Sequence, residues 1–216
     1  MNIVDNFKLT VGERRLTKKY LQAKRNTKVC TIASAKSIGI LFDATEPASF
    51  EIIRDFVKRL ENNKKEITIL GYVNDKKLID HYLYRKGFDF FTKTNLNWYN
   101  KPENESIEQF ISKPFDVLFN LSLRELFPLQ YILALSKAKL KVGKFSPEQP
   151  YLDLMIDIEK EKEAMNNIRN EVQKSKGEKG LKPKDYESIV SSKASIEIQL
   201  NFLINQLMHY LSILKK

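Results

Sequence analysis

Glycine is scarce in this chain, seven among 216 residues, and none stands in the loop Ala44-Thr45-Glu46-Pro47-Ala48 that follows the strongest apolar run. Without glycine there, the backbone cannot approach a pyrophosphate in the usual way. The dinucleotide fingerprint is therefore excluded, and no P-loop occurs elsewhere. A single cysteine, Cys30, excludes an intrachain disulfide and fits a reducing compartment. His81 and His209 have no cysteine or histidine at ligand spacing, so no metal site is expected. No run of about 18 apolar residues occurs, so no transmembrane helix is expected. The early charges in MNIVDNFKLTVGERRL leave no apolar core for a secretory signal. The expected location is the cytoplasm. No catalytic signature is found and no cofactor is expected.

Acid is almost missing from one segment. Residues 8–36 hold Lys8, Arg14, Arg15, Lys18, Lys19, Lys24, Arg25, Lys28 and Lys36 against Glu13 alone. Nine cations less one acid make +8; Asp5 removes one, and residues 37–216 carry the remaining +3 of the formal +10. A basic segment on a near-neutral body attracts anionic partners such as RNA, DNA, acidic lipid or an acidic protein. The plain alternative is a solvated helix surface. Residues 5–26 are predicted helical, with Leu16, Tyr20 and Ala23 on one face, although Gly12 weakens a helix.

The chain beyond the basic segment reads as an α/β body. Ser37–Asp43 (SIGILFD) has consecutive apolar residues, the pattern of a parallel strand buried on both faces. A helix capped by Ser49 is predicted to run to about Asn62, with Phe50, Ile53, Val57 and Leu60 at helical spacing. Glu66–Val73 (EITILGYV) completes a β-α-β unit with a right-handed crossover. A short helical stretch, Lys76–Lys86, and a third strand, Phe88–Thr92, precede an aromatic loop, Lys93–Pro102, whose Trp98 and Tyr99 either stack on a base or plug the core. A short helix is predicted over Glu103–Ser112. Residues Lys113–Phe145 read as strand, loop, helix and strand, with Pro128 suited to a first helical turn. In Tyr151–Ile158 the apolar and polar residues alternate, as on a half-exposed edge strand, with Asp153 and Asp157 on the solvent face. A charged stretch comes next, and then an amphipathic helix whose stripe runs from Ile196 through Leu200, Leu203, Ile204, Leu207 and Leu211, widened by Ile198, Phe202 and Ile213.

The expected fold is a three-layer, mainly parallel Rossmann-like α/β sheet of five or six strands with a long C-terminal helix. Its parts are a basic helical arm (1–36), the α/β core (37–158), a charged, partly mobile insert (159–185) and the C-terminal helix (186–216). In such sheets ligands bind where the strands end. That rule nominates Asp43, Thr45, Asn74, Asn120 and Ser122, with Glu46, Asp75, Thr92, Lys93, Thr94 and Arg124 nearby. Turn residues are polar for backbone reasons as well. For an anionic partner the arm nominates Arg14, Arg15, Lys18, Lys19, Lys24, Arg25 and Lys28.

The pieces SIGILFDATE, ILGYV, FDFFTKTNLNWYNKP, FDVLFNLS, PLQYILALSKAKLKVGK and YLDLMI together resemble an uncharacterised bacterial family, a domain of unknown function. The likeness covers most of residues 10–158 and the final helix. It implies a fold and no activity. The order strand, helix, strand, then FDVLFNL, helix and KVGK is similar, more distantly, to the N-terminal half of heptosyltransferase-like GT-B glycosyltransferases. Asp116-Val117 and Lys141-Val142-Gly143 stand where those enzymes carry Asp-Leu and Arg-Ile-Gly. Their Gly-Asp loop after the first strand is replaced by Asp43-Ala44-Thr45, and the chain has no room for their second domain. The expectation is a non-catalytic cytoplasmic module engaging RNA or a ribonucleoprotein through the arm. The alternatives are a small-ligand binder or GT-B-like enzyme half at the strand ends, and a homodimer through the C-terminal helix.

Overall fold

The consecutive apolar residues of Ser37–Asp43 form the centre of a six-stranded parallel sheet. The computed structural model describes residues 3–61, 65–78, 82, 87–147, 150–159 and 184–214. Its elements run α1 (Ile3–Gln22), β1 (Ser37–Asp43), α2 (Pro47–Glu61), β2 (Glu66–Val73), β3 (Phe88–Thr92), α3 (Glu105–Ser112), β4 (Val117–Asn120), α4 (Phe127–Leu135), β5 (Leu140–Lys144), β6 (Leu154–Ile156) and α5 (Lys184–Ile213). The strand order is β3-β2-β1-β4-β5-β6, and each pairing is parallel. The chain builds outward from β1 in one direction and then, from β4, in the other. The switch point between β1 and β4 is where such sheets open a crevice.

Alternation along each strand divides the core. Ile38, Ile40, Phe42, Val117 and Phe119 pack with Phe50, Ile53 and Phe56 of α2 and with Leu200, Leu203, Ile204, Leu207 and Leu211 of α5. Leu41, Leu70, Tyr72 and Leu118 pack on the other face, with Ile107 and Phe110 of α3 and Leu129, Ile132 and Leu133 of α4. The α5 stripe is thus spent on the chain's own sheet. Ile198 and Ile213 do not widen it: both are exposed.

Several boundaries differ from the sequence reading. Helix α2 begins at Pro47, whose fixed φ and missing N–H suit a first turn, so Ser49 lies buried inside the helix instead of capping it. Helix α1 ends at Gln22, and α4 at Leu135. Strand β6 is three residues long, although burial alternates as expected through Leu152, Ile156 and Ile158. Most of Lys76–Lys86 and nearly all of residues 159–185 lie outside the described residues.

Lys141 is the least expected core residue, 1% exposed on β5. Its Nζ donates to the carbonyls of Leu133 (2.5 Å) and Ala134 (3.0 Å) in the last turn of α4. A cation there satisfies orphan carbonyls and faces the negative end of the helix dipole. Burial nevertheless pushes the ammonium down to about 7, helped by the Arg25 charge and opposed by Asp153.

Candidate functional site

The basic arm is a docked helix. Leu16 of α1 is buried against Phe127, Tyr131 and Ala134 of α4. Gly12 permits the close approach: a Cβ there would lie 2.7 Å from the Tyr99 carbonyl oxygen and 2.8 Å from Phe127 Cζ. Docking fixes which cations can act together. Arg15, Lys18, Lys19 and Gln22 recur at helical spacing on one face. With Tyr99 and Tyr131 they line a groove of about 390 Å³.

The aromatic loop supplies the facing wall. Asn97 Oδ1 accepts from the backbone N–H groups of Tyr99 and Lys101, both at 3.1 Å, and Asn97 N–H donates to Lys101 O at 2.9 Å. Asn100 takes a left-handed φ of 63°, which asparagine tolerates. A Leu96–Pro102 bridge closes the loop. On this self-bonded loop the Arg15 guanidinium lies 4.6 Å from the Tyr99 ring centroid and 5.9 Å from that of Trp98. Trp98 stands edge-on to Tyr99 at 5.1 Å and is 55% exposed, so it does not plug the core. Lys19 Nζ donates to the Tyr131 hydroxyl at 3.1 Å. Burial pushes the Tyr99 phenol up, but hydrogen bonds from Asn97 and Arg15 and the Lys101 and Arg15 charges outweigh it and hold the group below its ordinary value. The neighbouring acid, Glu103, is paired with Lys101 at 2.9 Å.

The other nominated cations fall elsewhere. Arg14, Lys24 and Lys28 are exposed. Arg25 is engaged: its guanidinium grips Asp153, with Nη1 at 2.8 Å from Oδ2. Asp153 also accepts from Lys141 N–H at 2.8 Å. This aspartate stays on the exposed side that the alternation gave it and there ties the arm to the sheet. Tyr131 and Gln22 were not singled out by sequence reasoning; only Gln22 carried a signal, the seven-residue spacing from Arg15.

The strand-end nominees form a second cluster. Asp43, 7% exposed, closes β1. Its Oδ1 accepts from Thr45 N–H (3.0 Å) and Thr45 Oγ1 (2.5 Å), and its Oδ2 accepts from Arg124 Nε (2.7 Å), with Nη2 in ion-pair contact at 2.6 Å. Asn74 N–H donates to Thr45 Oγ1 at 3.0 Å, and the Tyr72 hydroxyl to Asn74 Oδ1 at 3.2 Å. Burial, with the Asp43 charge, pushes the Tyr72 phenol up to about 12. Ser122 Oγ donates to Arg124 O at 2.6 Å. Asp43, Thr45 and Asn74 are thus joined in one chain, and Arg124 spans the switch point. Asn120, 5% exposed at the end of β4, stays out of it: its Oδ1 has no hydrogen-bond partner among the described residues. Thr92 and Asn95 form a capping box, and Asp75 accepts from Lys77 N–H, so these are turn residues.

Fold and groove define a doubly wound parallel α/β protein with a basic helix docked beside an aromatic loop. The chain belongs to a family of unknown function, DUF6913, whose model matches residues 8–174. The match runs past β6 and stops before α5, where the sequence likeness had included the final helix. No curated protein and no solved structure matches the chain. Among the described residues, no helix is long and apolar enough to cross a membrane.

Proposed function

We propose that the protein is a non-catalytic cytoplasmic module that binds RNA in the groove between α1, the aromatic loop and α4. The observation that carries this reading is the convergence of Arg15, Lys18 and Lys19 beside Tyr99, with Trp98 exposed next to it. Cations alone would suit any polyanion. Cations interleaved with aromatic rings suit nucleic acid, because phosphates take the charge and bases offer ring faces. The test is a salt titration of full-length protein against a mixed RNA pool. At about 0.7 in log–log slope per phosphate on a single strand, three groove cations predict a slope of about −2. The triple variant Arg15→Glu/Lys18→Glu/Lys19→Glu should lose the binding. Salt-insensitive binding, or none at low salt, refutes the reading.

A second reading rests on Asn120. A buried carboxamide oxygen without a donor is costly, and this one stands on β4 at the switch point, paired with Leu41 of β1. A small polar ligand such as a nucleotide or sugar nucleotide would supply the donor, in keeping with the GT-B-like resemblance. It predicts a rise in melting temperature with such a ligand that disappears in Asn120→Leu. No shift across nucleotides and sugar nucleotides sinks it.

A further inference from the structure

We infer that the RNA is taken single-stranded, with one unpaired base stacked on Trp98 while Arg15, Lys18 and Lys19 hold the adjacent phosphates. The inference rests on the RNA reading above and names the form of the ligand.

Size argues first. A groove of about 390 Å³ falls within the range that holds small molecules, roughly 300–1,000 Å³, and suits one or two nucleotides. An RNA duplex is instead read across a wide, shallow groove by its 2′-hydroxyls and phosphates. The state of each ring argues second. Tyr131 is buried and its hydroxyl is occupied by Lys19, so it offers no free face. Tyr99 is already covered by the Arg15 guanidinium at 4.6 Å. Trp98 is the ring left more than half exposed, and the hydrogen bonds around Asn97 fix the loop that carries it. A large aromatic held out on a fixed loop loses little freedom when a base stacks on it. Charge argues third. Arg15, which shares the groove wall with Lys18 and Lys19, lies 5.9 Å from the centroid of this ring, and the neighbouring acid, Glu103, is bound to Lys101. A phosphate entering there meets net positive charge. Gln22, on the same wall, offers an amide to a base edge or a ribose hydroxyl.

Trp98 is the one tryptophan in the chain, so its fluorescence reports this ring alone. The experiment titrates the full-length protein with a fluorescently labelled ten-nucleotide oligouridine, and with the same strand annealed to its complement. Anisotropy of the label and fluorescence of Trp98 are followed in separate titrations. The expected result is quenching of Trp98 by the single strand with the same midpoint as the anisotropy change, and binding at least about tenfold weaker for the duplex. Trp98→Leu should weaken single-strand binding by about five- to 150-fold, the range measured for loss of one stacked base. Trp98→Phe, which keeps a ring, should fall between. A single strand that binds without disturbing Trp98, or a duplex that binds equally well, overturns the stacking inference and leaves the RNA reading intact. No anisotropy change with either RNA at low salt overturns both. If Trp98→Leu fails to fold, the wild-type quenching titration still decides.

Discussion

The groove beside α1 and the cluster at the strand ends contain similar residues and use them in opposite ways. At the strand ends, Asp43 accepts two bonds from Thr45 and one from Arg124, with which it also forms an ion pair, and Thr45 in turn accepts from Asn74. Charge there is matched and bonds are closed within the protein. In the groove, three cations share a wall with no carboxylate among the lining residues, and an exposed ring stands beside them. A polar group that satisfies its neighbour stabilises the fold and has little left for a ligand. A group of one sign left facing solvent adds little stability and remains available. The groove is therefore the better functional candidate. Asn120 is the exception at the strand ends, the one nominee there whose side chain keeps an unmet acceptor.

The sharpest way to break this contrast is to alter both clusters and measure both properties. The groove variant Arg15→Glu/Lys18→Glu/Lys19→Glu should weaken RNA binding by a hundredfold or more, while its melting temperature moves little. Asp43→Ala should do the reverse: RNA affinity stays, and stability falls by about 1–3 kcal/mol from the lost hydrogen bonds. Chemical denaturation read beside an anisotropy titration separates the two. A groove variant that unfolds, or an Asp43→Ala protein that loses RNA, would show that the clusters are one unit.

The sheet was legible in the sequence, and the groove was legible only in part. Ser37–Asp43 and Glu66–Val73 are strands over the residues predicted, because a strand buried on both faces needs an unbroken apolar run and little else in the chain has one. The alternation over Tyr151–Ile158 revealed the edge strand for a related reason. The groove draws its walls from three separated segments, and no local pattern says that residues 15, 99 and 131 meet. Gly12 shows how a local rule misleads. It reads as a weak point in a helix, yet its missing side chain is what brings α1 against Tyr99 and Phe127. Lys141 is a related case: nothing in Leu140-Lys141-Val142-Gly143 marks the lysine for burial, and only the end of α4 above it explains its place in the core.

Lys141 also offers a control among residues that line neither cluster. Its ammonium titrates near 7 in the folded protein and near 10.5 in the unfolded chain. Between these values the unfolded chain binds the extra proton, so raising the pH favours the folded state. Stability should climb by about 2 kcal/mol at most between pH 7 and 9, and level off as the unfolded value is reached. In Lys141→Met that climb should vanish, which parallel denaturation series of the two proteins would reveal. Lys141 does not line the groove, so the RNA affinity of Lys141→Met should match wild type at fixed pH wherever the protein stays folded. An unchanged pH profile would mean that another group sets it.

Gly12→Ala tests the premise of the comparison, that α1 is part of the body. In an isolated helix this change is stabilising by about 1 kcal/mol, because alanine restricts the unfolded chain and suits helical geometry. In the docked helix the new Cβ would lie 2.7 Å from a backbone oxygen and 2.8 Å from the Phe127 ring. The carbonyl of Tyr99 cannot move without disturbing the loop that carries Trp98, so the helix itself must shift. Overpacking of this kind costs roughly 1–3 kcal/mol. The opposing effects leave a net destabilisation of about 1 kcal/mol, and the sign is what matters. A loss of stability accompanied by weaker RNA binding places the groove in the α1 interface. A gain in stability with unchanged binding would mean that α1 stands free of the body in solution and that its charges act as an undocked arm.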